Sequence, residues 1–169
     1  MADINRRIAG VRAKNNGKVF EARLEAAFEY YRLRGEALIE KTPEPVKQLG
    51  AMDKLGRFMA CYEKRAQPDY KGVLRGGKCI VIEAKHTNGQ SIPLSRVTPH
   101  QLGTLLEYEK HGAEAYIIAE FGDGAVRRYR ATMWNAMIDS GLKTASPGDP
   151  FGCSIEEEYG IIKVLEGIA

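Results

Sequence analysis

The stretch from Gln67 to Lys85, QPDYKGVLRGGKCIVIEAK, decides how this chain folds. Cys79-Ile80-Val81-Ile82 is an unbroken apolar run, the composition of a strand covered on both faces. Asp69 falls at the end of the strand before it, and Glu83 and Lys85 follow the run directly. Side chains alternate along a strand, so Glu83 and Lys85 share one face while Ile80, Ile82 and Ala84 take the other. Charges at the end of a buried run must be paired or must bind a metal. An Glu-x-Lys on a strand also fits an exposed ion pair; Pro68-Asp69 and the apolar run tip the balance towards a site.

Towards the N-terminus, residues 46–66 make an excursion of about twenty residues, a length that is more often functional than idle. It carries Lys47, Lys54, Arg57, Lys64 and Arg65, and the spacing of Leu55, Phe58, Met59 and Tyr62 predicts a helix with one apolar face. Ala37-Leu38-Ile39 predicts a short first strand, ended by Pro43 and Pro45, which lack the ladder donor. Phe20, Leu24, Ala27, Phe28 and Tyr31 mark an amphipathic helix from about Val19 to Arg34, with start signals at Asn15, Asn16 and Gly17 and a stop at Gly35. Glu21 and Glu25 share a face beside that stripe. Glu21 either favours the positive end of the helix dipole or serves as an accessory metal ligand. Residues 1–16 read as a mobile basic arm with Arg6, Arg7, Arg12 and Lys14.

Towards the C-terminus, Asn88-Gly89 is a turn, and Thr98-Pro99 opens a helix whose buried stripe is Leu102, Leu105 and Leu106. Gln101 stands three residues after Thr98, so it fits a capping box as well as a functional role, and the two are compatible. Ala115–Phe121 predicts another apolar strand, paired antiparallel with Val126–Arg130 through Gly122-Asp123-Gly124. A short helix follows around Met133–Ile138, with Trp134, and then loop through Pro150. Within the extension 145–169, Ser154-x-x-Glu157 fits a capping box and Tyr159–Leu165 fits a strand; both readings stand.

The 169 residues, 44% hydrophobic and 28% charged, match one globular domain with a sizeable core. No window has the ~18–20 apolar residues of a membrane span. The first ten residues lack a signal-peptide core, and Cys61, Cys79 and Cys153 are odd in number and far apart, which together predict a cytoplasmic protein with free thiols. Of 25 basic residues 14 lie in the first 65, against 9 of 22 acidic ones. That asymmetry suits a polyanion-binding face, or a merely solvated one.

Pro68-Asp69, thirteen intervening residues and Glu83-Ala84-Lys85 resemble the PD-(D/E)xK nuclease motif, in its expected order of helix, strand, strand and helix. DYKG at 69–72, IEAKHT at 82–87 and His100-Gln101 are similar to the RecU family of Holliday junction resolvases. So are Gly17 to Glu21, Tyr30-Tyr31 and Ile39-Glu40-Lys41-Thr42-Pro43, so that the likeness spans roughly residues 15–135. It implies an α/β restriction-endonuclease-like core, a mixed β-sheet flanked by helices, with the excursion as a stalk between the first two strands. It also implies a homodimer that resolves four-way DNA junctions with magnesium, for which manganese substitutes. Carried over by position, Asp69 and Glu83 are the metal ligands, Lys85 the catalytic lysine and Gln101 an active-site glutamine. One departure is Ala66-Gln67-Pro68 where the family has Ser-Thr-Thr, which places Gln67 where a threonine near the metal is expected.

The chemistry follows from the residues as well. Phosphodiester hydrolysis needs an in-line water and neutralisation of charge on the phosphorus oxygens, which magnesium held by carboxylates supplies. The backbone carbonyl of Ala84 adds to the Asp69 and Glu83 oxygens. Lys85 either activates the water or stabilises transition-state charge. His86 and His100 are expected at the rim or on phosphate. Lys71 joins the basic residues of the arm and excursion as a DNA contact. The alternatives are another PD-(D/E)xK nuclease acting on flaps or replication intermediates, and a non-catalytic DNA-binding protein that keeps the fold.

Overall fold

A computed structural model of the chain describes residues 2–43, 45–62 and 67–168, with the side chains of residues 2–15 and of Tyr62 outside that description. Helix α1 spans Ala2–Leu33. Its stripe of Phe20, Leu24, Ala27, Phe28 and Tyr31 is buried as the heptad-like spacing requires. The helix does not begin near Val19: residues 2–16 are helical, not an arm of separate conformation, and Gly17 sits in mid-helix. An isolated glycine lowers helix stability by only ~1 kcal/mol, which the flanking helix formers offset. Gly35, at φ 65°, ends the helix by a turn in which Glu36 N donates to Tyr31 O at 2.9 Å.

Six strands form the main sheet, in the order β1 (Ala37–Lys41), β4 (Tyr70–Leu74), β5 (Cys79–His86), β7 (Glu114–Glu120), β8 (Val126–Arg130) and β10 (Cys153–Ile155). Only β5 and β7 run parallel, joined through helix α2 (Pro99–Lys110); every other neighbouring pair is antiparallel. The sheet is therefore mixed, as expected. Ile80 and Ile82 pack with α1 on one face, and Val81 packs on the other with Leu102, Leu105 and Trp134 of α2 and α3 (Ala131–Asp139). Helices cover both faces, which is why β5 and the fully buried β7 read as continuous apolar runs. At Gly72 a Cβ would lie 2.1 Å from Leu38 O, so the β1–β4 approach demands glycine.

The excursion lies between β1 and β4, as expected, but it is not helical. Val46–Leu49 (β2) and Met59–Tyr62 (β3) pair antiparallel as a hairpin outside the main sheet. Gly50 and Gly56 take φ of 80° and 75°, a left-handed backbone that interrupts a helix. Leu55 and Met59 remain 75% and 73% exposed, so among the described residues no surface collects the helical stripe. Lys64 and Arg65 lie outside the described residues.

The expected helix around Met133–Ile138 is α3, the loop through Pro150 contains the short strand Thr144–Ala145, and beyond Pro150 the strand reading prevails over the helix cap. Strand β10 extends the sheet, and a two-stranded unit of β11 (Glu157–Glu158) and β12 (Ile161–Ile162) brings Ile162 and Val164 into the α1 core. Ser154 starts no helix. Arg128 donates to Val164 O at 2.6 Å and Glu166 O at 2.9 Å, and Arg127 to Asp149 O at 2.5 Å. The basic strand β8 thus ties down the C-terminal segment.

Candidate active site

The β4–β5 register sets the site. Tyr70 lies opposite Ile82, and the same alignment puts Asp69, at the entrance to β4, opposite Glu83. Opposed residues of an antiparallel pair point to one face. Asp69 therefore precedes its strand instead of ending it, yet reaches Glu83 because the two strands run in opposite directions. Its Oδ2 accepts from Ala84 N at 2.8 Å. In an extended strand the N–H and C=O of one residue point to the same side, so the Ala84 carbonyl also faces the space beyond β4.

Lys85 Nζ lies 2.6 Å from Glu83 Oε1, on the same face as alternation requires. Gln101 reaches this oxygen too: its Nε2 donates to Glu83 Oε1, while its Oε1 accepts from Thr98 N at 3.0 Å. The capping box and the contact with Glu83 coexist in one side chain. Asp69, Glu83, Lys85 and Gln101 are thus brought together.

Glu83 is 1% exposed, and its Oε2 is buried without a partner. Burial first, then the charge of Asp69, push its carboxyl up to about 7 against the pull of Lys85. Asp69 is raised as well, by burial above all, with the Ala84 amide opposing. A buried Glu83 beside a half-buried Asp69, both with their charged form disfavoured and one oxygen unpartnered, fit a small hard cation that takes few protein ligands and keeps its waters. Among the described residues, no group of three or more His, Cys, Asp or Glu side chains is gathered to form a protein-only cage.

Other expected residues stand elsewhere. Glu21 binds Lys41 Nζ at 2.7 Å on the α1 side, because Lys41 pairs with Tyr70 and points away from Asp69. The Glu21 charge still reaches Asp69, whose carboxyl it helps to raise. His86 is not at a rim: Nδ1 lies 2.8 Å from Glu120 and Nε2 3.0 Å from Asn88, since alternation turns it away from Lys85. His100 is exposed. Gln67 is exposed and accepts from Lys71 Nζ at 2.7 Å, so it does not replace the threonine expected near the metal. Lys71 also stands 5.5 Å from the centre of the Tyr108 ring. Lys47, Lys54 and Arg57 are exposed on the hairpin, with Arg57 Nε 2.9 Å from Asp53. Arg6, Arg7, Arg12 and Lys14 lie on the described backbone of α1.

Known proteins resemble this chain over much of its length. A resolvase named Holliday junction resolvase RecU from Geobacillus sp. (strain WCH70) is 40% identical over 113 residues, 63% of this chain and 55% of its own length. Proteins of the same name from Bacillus pumilus (strain SAFR-032) and Streptococcus thermophilus (strain LMD-9) are 35% and 31% identical, over 69% and 70% of this chain and 60% and 66% of their own. The chain spans little more than half the length of the first curated relatives it matches. Among solved structures, Archaeoglobus fulgidus Hjc, a Holliday junction resolvase, aligns over 70% of this chain and 75% of its own, at 17% identity and a TM-score of 0.45. The family model described as Recombination protein U matches residues 15–137, from mid-α1 into α3, and so includes all four gathered side chains. The chain belongs to the Recombination protein U family.

Proposed function

We propose that this chain is a divalent-metal-dependent endonuclease that resolves four-way DNA junctions. The observation that carries this reading is the pairing of Asp69 with Glu83 across β4 and β5, beside Lys85 and Gln101, in a chain of this family. Its curated relatives bear the name Holliday junction resolvase. Asp69, the unpartnered oxygen of Glu83 and the Ala84 carbonyl would hold magnesium, with manganese as a substitute. Such a cation supplies a Lewis acid for the phosphodiester and acidifies water. Gln101 keeps Glu83 aimed into the site, and the capping box fixes Gln101 in turn. Lys85 stands beside Glu83, where its ammonium offsets charge growing on the phosphorus oxygens. Burial of Glu83 beneath α2 lowers the effective dielectric around its carboxylate, which strengthens its interactions with Lys85 and Gln101.

Arg6, Arg7, Arg12 and Lys14 of the N-terminal part of the chain, Lys47, Lys54 and Arg57 of the hairpin, Lys64 and Arg65 from the sequence that follows it, and Lys71 would track the phosphates. We read the whole of residues 1–169 as one nuclease unit acting as a homodimer, since symmetric cutting of a four-way junction takes two such sites. The cytoplasm is its natural place, consistent with free Cys61, Cys79 and Cys153. Among the described residues no helix is long and apolar enough to cross a membrane.

Labelled four-way junction, flap and linear duplex incubated with magnesium and either wild type or Asp69→Asn test the proposal. Wild type should cut the junction in preference to the others, and the variant should bind the junction without cutting it. Equal cutting of junction and duplex would remove junction selectivity. Binding by wild type with no cutting of any substrate would leave only a DNA-binding protein.

A further inference from the structure

Four buried side-chain polar atoms lack a partner among the described residues: Thr42 Oγ1, Tyr70 OH, Glu83 Oε2 and Arg127 Nε. Buried groups of this kind are rare in folded proteins, and a cluster of them marks a place where water or an ion belongs. Two of the four flank Asp69. The β1–β4 ladder runs Leu38 to Val73, Glu40 to Lys71 and Lys41 to Tyr70, and Thr42 N continues it by donating to Asp69 O at 2.8 Å. Lys41 points to α1, where it meets Glu21 and Glu25, so Thr42 points to the opposite face. That is the face of Asp69 and Glu83. Thr42, Asp69 and Glu83 therefore form one row across three neighbouring strands, with an unpartnered oxygen at each end and a carboxylate between.

We propose that Thr42 is a positioning residue of this site, its hydroxyl contacting the water shell of the divalent cation held by Asp69 and Glu83. This rests on the metal reading given above and adds to it a residue from a third strand. Neighbours within such a row stand ~4.5–5.5 Å apart at Cβ, so the Thr42 hydroxyl is within the reach of one water of an ion held above the row by Asp69 and Glu83. A magnesium ion keeps several waters when only one or two carboxylates bind it, and those waters need fixed hydrogen-bonding groups around them. A threonine hydroxyl both donates and accepts, so it suits either a water or a carboxylate oxygen. Gln67, with its side chain on Lys71, does not compete for this place.

The test is calorimetric titration of the full chain with magnesium, for wild type, Thr42→Val, Thr42→Ser and Asp69→Asn, with melting curves in EDTA. Valine keeps the shape and removes the hydroxyl, whereas serine keeps the hydroxyl. Thr42→Val should bind magnesium ~10-fold more weakly, in the range seen when groups outside the ligand set are removed. Thr42→Ser should restore wild-type affinity, and Thr42→Val should melt in EDTA no lower than wild type, since it loses only an unpartnered polar atom. Wild-type affinity in Thr42→Val, or a Thr42→Ser as weak as Thr42→Val, would overturn the proposal while leaving the metal reading intact. Absence of binding in wild type would overturn both, and loss of binding in Asp69→Asn alone separates the two.

Discussion

Glu114 shows how this fold treats a buried acid outside the site. It is 3% exposed at the start of β7, yet Lys78, Tyr116 and Arg130 all reach its carboxylate. Burial pushes its carboxyl up, but the Lys78 and Tyr116 hydrogen bonds and the Arg130 charge outweigh that and hold it below its ordinary 4.5. A carboxyl depressed by folding stabilises the native state at pH values above its unfolded value, and that contribution disappears as pH falls through the folded one. Urea unfolding of wild type and Glu114→Gln at pH 7 and pH 3 measures this. The variant should be about 1–3 kcal/mol less stable at pH 7, the range for hydrogen bonds to a charged group, with the difference shrinking below pH 4.5. A difference independent of pH would refute the assignment. Asp69 and Glu83 go the opposite way, because burial outweighs what their hydrogen-bonding and charged partners give back; at Glu83 the charge of Asp69 adds to the rise. The cap made by Gln101 was legible in the sequence from its offset of three residues after Thr98, whereas a place at the site was implied only by the family resemblance. Thr42 belongs to a stretch that carries the family likeness but gave no signal of a place at the site, because that place depends on a ladder contact to a residue 27 positions away.

The hairpin of β2 and β3 is the element whose conformation could not be read from its sequence. Apolar residues at 55, 58, 59 and 62 satisfy helical spacing, but a stripe defines a helix only when something buries it. Here Val46, Leu49, Met52, Leu55, Phe58 and Met59 all remain exposed. Asp53 instead organises the turn, its carboxylate accepting from Leu55 N at 2.8 Å and Arg57 N at 2.9 Å. This presents Lys47 and Lys54 on a projecting ribbon. If the ribbon contacts DNA phosphates, changing Lys47, Lys54 and Arg57 together to glutamine should reduce the slope of log affinity against log salt by up to ~2–3, about 0.9 per contact on duplex arms. An unchanged slope in junction-binding titrations would show that the ribbon stays clear of DNA. Helix α2, in contrast, was bounded correctly at its start, because Thr98-Pro99 and Gln101 form a local signal that needs no tertiary partner.

The whole molecule depends on its C-terminal segment, which lies beyond the family match at 15–137. Ile162 and Val164 are fully buried against α1, and Lys163 lies 4.5 Å from the centre of the Tyr30 ring. Truncating Ile162 to alanine should cost ~2–5 kcal/mol, the range for a fully buried aliphatic side chain. A denaturation midpoint like that of wild type would show that the segment is an appendage and not part of the core. By itself the sequence determined what acts over a few residues: β5 and β7 as strands buried on both faces, the cap of α2, the stripe of α1, and the sharing of one face by Glu83 and Lys85. These follow from periodicities of two and 3.6 and from short-range hydrogen bonding. Only the tertiary structure decided that residues 2–16 continue α1, that the excursion is a ribbon, that Glu21 turns to Lys41, and that the C-terminal segment closes the α1 core. It also decided the row of Thr42, Asp69 and Glu83, because register between strands is set by how whole faces are buried, and no local pattern encodes which distant residue will stand opposite.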